Sequence, residues 1–187
     1  MRALVVHESL FGNTRHIAEA IARGLRAGPE DGVAPAGAGG LDVEVVGVTD
    51  APPTIPPGVE LLVVGGPTHA FGLSRPSTRR SAGEQGAPHE LADGAGMREW
   101  LGALEPAAAH LVAAAFDTHI AHPHLPGAAA HAEERRLRKL GFTMLAPGES
   151  FFVEDVEGPL VDGELERAER FGRQLAKRMA AHPAATA

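Results

Sequence analysis

The 187-residue chain sets 17 Lys and Arg against 24 Asp and Glu, a formal charge of −7, with 44% hydrophobic residues and no cysteine. That balance suits one domain with a real core and argues against a basic nucleic-acid face. It also excludes disulfides, thiolate catalysis, Cys-ligated zinc and iron–sulfur clusters. No charged-then-apolar leader opens the chain and no apolar run approaches a membrane span, so the expected location is cytoplasmic.

Residues 3–6 form a continuous apolar run, the pattern of a strand buried on both faces of a parallel sheet. Ser9-Leu10-Phe11-Gly12-Asn13-Thr14 follows and leads into a helix beginning near Arg15, with Ile17, Ala18, Ile21, Ala22 and Leu25 on one stripe. A strand, a loop of hydroxyls, Gly and Asn, and a helix start make an anion site. Free N–H groups and the helix dipole favour negative charge there. Gly28 ends the helix, and residues 28–40, rich in Gly, Pro and Ala, read as a flexible insertion.

Residues 41–48 give a second strand, and the Pro-rich residues 50–58 show no helical periodicity. Residues 61–64 give a third strand, again buried on both faces, ending in Gly65-Gly66-Pro67-Thr68-His69-Ala70-Phe71-Gly72. A long polar loop near residues 73–96 comes next, with a short helix beginning near Ser77 and with Arg75, Arg79 and Arg80. Those arginines either grip a phosphate or a partner's carboxylate, or form a solvated run. Met97, Trp100, Leu101 and Leu104 mark an amphipathic helix in which Trp100 is packing.

Residues 111–116 give a fourth strand, followed by Asp117-Thr118-His119. His119, His122 and His124 have the density of a metal cluster, but the intervening prolines and the lack of a suitably spaced carboxylate favour ligand contact or solvation. A charged helix over 128–140 ends at Gly141. Residues 142–145 and 150–153 read as one fifth strand split near Pro147-Gly148. The last helix carries Leu165, Ala168, Gly172, Leu175 and Met179 on one face, and a frayed tail follows Ala181.

The alternation predicts an α/β, doubly wound, five-stranded parallel sheet with helices on both faces, formed by residues 1–187 as a single domain, and the order 2-1-3-4-5 is what the flavodoxin-like resemblance of its loops implies. In such a sheet the loops after strands one, three and four converge on the ligand crevice. The loop Ser9–Thr14 resembles the phosphate loop of the flavodoxin family, and Gly66-Pro67-Thr68-x-x-Phe71-Gly72 resembles the loop after its third strand, especially in the quinone-reductase branch. The resemblance implies FMN as cofactor. The phosphate would lie on Ser9, Leu10, Phe11, Gly12, Asn13 and Thr14. The ring would lie between Pro67, Thr68, His69, Ala70, Phe71 and Gly72 on one side and Asp117, Thr118 and His119 on the other.

The chain has no Tyr, so Phe71, His69 and His119 stand where family members stack Tyr or Trp on the flavin. Protonated imidazoles at those places would favour an anionic reduced flavin. The implied function is electron transfer through bound flavin, with a redox partner protein. Two alternatives stay open: an NAD(P)H-dependent quinone or FMN reductase, and an interaction module of the same fold that has lost FMN. Association of the chain with itself also stays open. A receiver-type signalling domain shares the strand order but needs an Asp where this third strand ends in Gly65-Gly66.

Overall fold

A computed structural model describes residues 1–29, 40–69, 72–108, 111–121 and 127–182. Residues 30–39 of the insertion expected over 28–40, Ala70, Phe71, His122, His124 and the tail over 183–187 lie outside the described residues.

The apolar runs form the sheet. Strands β1 (Arg2–His7), β2 (Asp42–Gly47), β3 (Val59–His69) and β5 (Val112–Ile120) pair in parallel in the order β2-β1-β3-β5. The register sets Val5 beside Val45 on one side and Val63 on the other. The edge position is divided, as the sequence suggests. β6 (Thr143–Met144) pairs with Val112 and Ala113, and β7 (Glu149–Val153) pairs with residues from Phe116 to Ile120. The short β4 (Gly72–Leu73) folds back antiparallel on the end of β3. Counting β6 and β7 as one strand, this is the expected flavodoxin-like sheet.

Alternation along each strand sends side chains to two separate cores. Ala3, Val5, Leu61, Val63, Ala114 and Phe116 face α1 (Asn13–Ala27) and α6 (Glu164–Ala181). Leu4, Val6, Leu62, Val64, Ala113 and Ala115 face α4 (Met97–Ala103) and α5 (Ala129–Lys139). Both sides of the central strands are therefore buried, which is why they read as unbroken apolar runs.

The helix expected to be weak or missing between β2 and β3 is absent: residues 48–58 are turns. Val48, Ala51 and Ile55 from that segment still pack on the second core, and the Trp100 indole N–H donates to the Pro52 carbonyl at 2.9 Å. Trp100 is thus packing with its polar end satisfied, as expected.

Three local expectations are corrected. The polar stretch 73–96 is largely helical, holding α2 (Pro76–Glu84) and α3 (His89–Asp93). It reads as a loop because its two helices bury few apolar residues: Ala82 and Ala87 seat on Leu10 and the half-buried Phe11 of the Ser9–Thr14 loop. In α6, Leu165 is 39% exposed, and the buried stripe runs through Ala168, Phe171, Gly172, Leu175, Ala176 and Met179. The first helix begins at Asn13, two residues before Arg15.

The α1–α6 contact depends on two glycines. A Cβ on Gly24 would lie 2.0 Å from the Glu169 carbonyl oxygen, and one on Gly172 would lie 2.1 Å from the Ile21 carbonyl oxygen. The two helices meet backbone to backbone, closer than side-chain ridges permit.

Candidate functional site

The turn from β1 into α1 is made by Gly12, whose φ of 91° lies in the left-handed region that a side chain disfavours. Gly12 is the N-cap, so α1 starts with no side-chain cap and with no acidic residue in its first turn. First-turn N–H groups that no protein side chain engages, with no acid in that turn, are suited to an external anion. The Ser9 hydroxyl accepts from the Arg15 N–H at 3.1 Å, which holds the loop against the helix. Thr14 Oγ1 meets Thr118 Oγ1 at 2.8 Å, both buried, and so ties the first loop to the end of β5. Asn13 acts as a fastener: its amide donates to the Glu157 carbonyl at 3.0 Å.

Beyond this loop opens a cavity of about 300 Å³ at the C-terminal ends of β1, β3 and β5. Ser9, Leu10, Phe11, Asn13 and Thr14 line it from the first loop. Pro67, Thr68 and His69 line it from β3, and Thr118 and His119 from β5. The three loop regions named from the sequence are therefore brought together. Gly12 shapes the turn, and Gly72 sits in β4 beside His69.

Asp117 turns to the opposite face. Its Oδ2 accepts from the Thr68 hydroxyl at 2.9 Å and from the Ala130 N–H at 3.0 Å, while Thr68 Oγ1 accepts from the Ala129 N–H at 2.8 Å. Thr68 and Asp117 together cap α5 from outside the helix, replacing the cap that Ala128 cannot supply.

The sequence reading missed the fourth wall. Thr78, Ser81 and Ala82 of α2 and Gln85 at its C-cap face the cavity, along with Ile120, Val153 and Val156. The signal was present: Thr78, Ser81, Ala82 and Gln85 fall at i, i+3, i+4 and i+7, one face of a helix. It was hidden because that face is polar rather than apolar.

Burial, and then the positive charge of Arg79, push the His69 imidazole below its usual range. That shift disfavours the protonated form of His69. His119 Nδ1 lies 3.4 Å from Asp117 Oδ1, and its ring meets the edge of Phe152 with centroids 4.8 Å apart. Of the three arginines singled out, Arg79 is not available as an anion grip. It is buried, 3.0 Å from the Glu99 carboxylate and from the Ser74 hydroxyl. Arg75, just before α2, and Arg80 on it are exposed. Among the described residues no group of three or more His, Asp or Glu is arranged to hold a metal ion, and no helix is long and apolar enough to cross a membrane.

His7, at the end of β1, gives a pH prediction. Burial, then the charge of Arg15, lower its pKa from 6.5 to about 4. The folded protein thus refuses a proton that the unfolded chain takes, so stability is full above pH 6.5 and is lost as the pH falls toward 4. The loss at the acid end is about 3 kcal/mol, at 1.36 kcal/mol per pKa unit. Chemical denaturation of the wild type and a His7→Gln variant across this range checks it: the variant should show the shallower acid limb, and parallel limbs would refute the assignment.

No protein-family model and no curated protein sequence matches the chain. Solved structures do. A flavodoxin from the domain Archaea aligns with a TM-score of 0.62 at 22% identity, over 97% of this chain and 100% of that one. Oxidised flavodoxin 1 from Bacillus cereus aligns at 0.63 and 18%, over 95% and 98%. A flavodoxin, WrbA-like protein from Agrobacterium tumefaciens aligns at 0.56 and 16%, over 97% and 99%. Identities this low carry the fold, and together with the strand order and the convergence of the three loops they make the chain a flavodoxin-like α/β protein.

Proposed function

We propose that the chain binds FMN in this cavity and transfers electrons through it to a redox partner. The observation that carries the reading is the uncapped start of α1, with the Ser9 and Thr14 hydroxyls beside it, opening onto a cavity at the ends of β1, β3 and β5. A phosphate monoester suits the amides and hydroxyls, and a planar ring suits the wall of Pro67, His69, Phe11 and His119. The bound flavin would supply the electron chemistry. The chain's own residues bind and orient it: the first-turn N–H groups take the phosphate, Thr118 steadies Thr14, and Ile120, Val153 and Val156 exclude water from one flank. A neutral His69 offers one donor and one acceptor nitrogen and adds no charge.

The polar face of α2 favours a second reading, in which a small acceptor such as a quinone is reduced within the cavity at the expense of NAD(P)H. NAD(P)H oxidation with benzoquinone separates the reductase from the carrier. The common premise is tested by titrating FMN and riboflavin into the purified protein and following flavin fluorescence and the visible spectrum. FMN should bind saturably and more tightly than riboflavin, because riboflavin lacks the phosphate. A protein that takes up neither is the interaction module.

A further inference from the structure

A second cluster lies on the other side of the site from the cavity, and nothing in the flavin reading uses it. Glu133 on α5 is fully buried, and neither of its carboxyl oxygens has a hydrogen-bond partner. It sits over Gly66: a Cβ there would be 3.3 Å from Glu133 Oε1 and 3.8 Å from the Glu8 Cβ. Gly66 pairs with Asp117 across β3 and β5, which puts the Asp117 side chain on the same face of the sheet. A Glu133 carboxyl oxygen thus faces the place where a side chain is missing, with Glu8 beside it and Asp117 on the same face.

Two of the three are provided with donors. Glu8 Oε2 accepts from the Met97 N–H at 2.7 Å, and Glu8 also accepts from the Ser74 hydroxyl, with the Arg79 guanidinium nearby. Asp117 accepts from Thr68 and from the Ala130 N–H, and faces His119. Glu133 has none. A buried carboxylate without a donor is far costlier than a carboxylic acid whose O–H finds an acceptor. The buried Glu8 Oε1 is an acceptor without a partner.

We propose that Glu133 is a neutral carboxylic acid in the folded protein, that it shares its proton with Glu8 across Gly66, and that this pair is a proton-exchange site setting the charge behind the cavity. The link to the cavity is one side chain long, because Thr68 both lines the cavity and donates to Asp117. Loss of the proton adds a negative charge on this face and weakens anion binding, a consequence that rests on the flavin reading.

Charge on the surrounding elements points the same way. Burial first, then Asp117 and Glu8, raise the Glu133 pKa well above the usual carboxyl range, and burial raises that of Glu8. α5 packs on β3, β4, β5, β6 and α4. β5 contributes Asp117 and His119, while β4 and β6 carry no charged residue. β3 contributes Glu60 at its start and His69 at its end. From α4, Arg98 is engaged with the Ser74 and Leu73 carbonyls, and Glu99 with Arg79 and the Gly96 N–H. On α5 itself Glu134 pairs with Arg138, Arg136 donates to the Leu101 carbonyl, and His131, Arg135 and Lys139 are exposed. None of these supplies Glu133 with a cation.

Infrared spectroscopy of the full chain over a pH series tests the proposal in the wild type, Glu133→Gln and Glu8→Gln. A protonated-carboxyl C=O band should be present at neutral pH in the wild type, be absent in Glu133→Gln and change frequency in Glu8→Gln. Glu133→Gln should be at least as stable as wild type, by a margin that grows with pH, since the unfolded chain ionises Glu133 and the folded protein resists it. Its FMN affinity should fall less with rising pH than that of the wild type. A folded wild type with no such band, or a band that survives in Glu133→Gln, overturns the proposal. If Glu133→Gln fails to fold, the wild-type band and its shift in Glu8→Gln decide. If FMN does not bind at all, the function proposed above fails while the infrared result still decides this one.

Discussion

Gly24→Ala is expected to destabilise the protein by roughly 3 kcal/mol or more, a fall in melting temperature on the order of 10 °C for a chain of this size. By helix propensity alone the change should stabilise α1 by about 1 kcal/mol, since Ala is the best helix former and Gly among the worst. Packing decides the sign. The new methyl would sit 2.0 Å from the Glu169 carbonyl oxygen and 2.9 Å from the Arg173 backbone nitrogen, and backbone atoms cannot rotate away as a flexible side chain can. α1 and α6 would have to separate, opening the core that Ile21, Leu25, Phe171 and Leu175 close. Gly102→Ala is the control: it is also helical, but nothing lies within 4 Å of a Cβ there, so it should be neutral or mildly stabilising. Thermal melts of the two variants beside wild type are sufficient. A Gly24→Ala protein as stable as Gly102→Ala would mean that the two helices do not pack as described.

Ser9→Asp is expected to lower FMN affinity by roughly 30- to 100-fold while leaving the fold intact. The carboxylate can replace the Ser9 hydroxyl as acceptor for the Arg15 N–H, and an acid beside a helix N-terminus is worth up to about 1 kcal/mol of added stability. It also places a negative charge at the spot proposed for the phosphate. Two like charges about 5 Å apart at an effective dielectric of about 20 repel by about 3 kcal/mol, a little over a hundredfold in affinity before screening. Riboflavin has no phosphate, so its affinity should hardly change. Equal losses for both ligands would show that the variant damages the cavity rather than the anion site. An unchanged FMN affinity would move the phosphate elsewhere.

The strands were legible because a parallel sheet covered on both faces demands continuous apolar runs, and residues 3–6, 61–64 and 111–116 have them. The turn from β1 into α1 was legible because a strand that passes at once into a helix needs a residue such as Gly12 that tolerates the left-handed region. α2 was less so. It packs through Ala82, with Ala87 just after it, and turns Thr78, Ser81 and the following Gln85 to the cavity, so its inner face has no apolar periodicity to read. Leu165 misled in the opposite way: it continues the apolar spacing of α6, yet it faces solvent, while the neighbouring Glu164 is the residue turned inward to accept from the Phe152 N–H.

The sequence by itself determined the alternating α/β class and the places of the strands, because hydrophobic period is a local property of the chain, while the strand order and the loops that meet came with the resemblance to the flavodoxin family. Only the tertiary structure decided how individual polar groups are used. Asp117 lies beside two cavity residues in sequence, but strand alternation sends it to the other face, where it caps α5. Arg79 stands in an exposed-looking run, but the turn of α2 buries it against Glu99 and Ser74. Glu133 sits in a charged helix like its neighbours, yet it alone points at Gly66, where the missing side chain makes room for a carboxyl group and leaves it no donor. Partnering of this kind depends on contacts between residues far apart in the chain, so no local pattern encodes it.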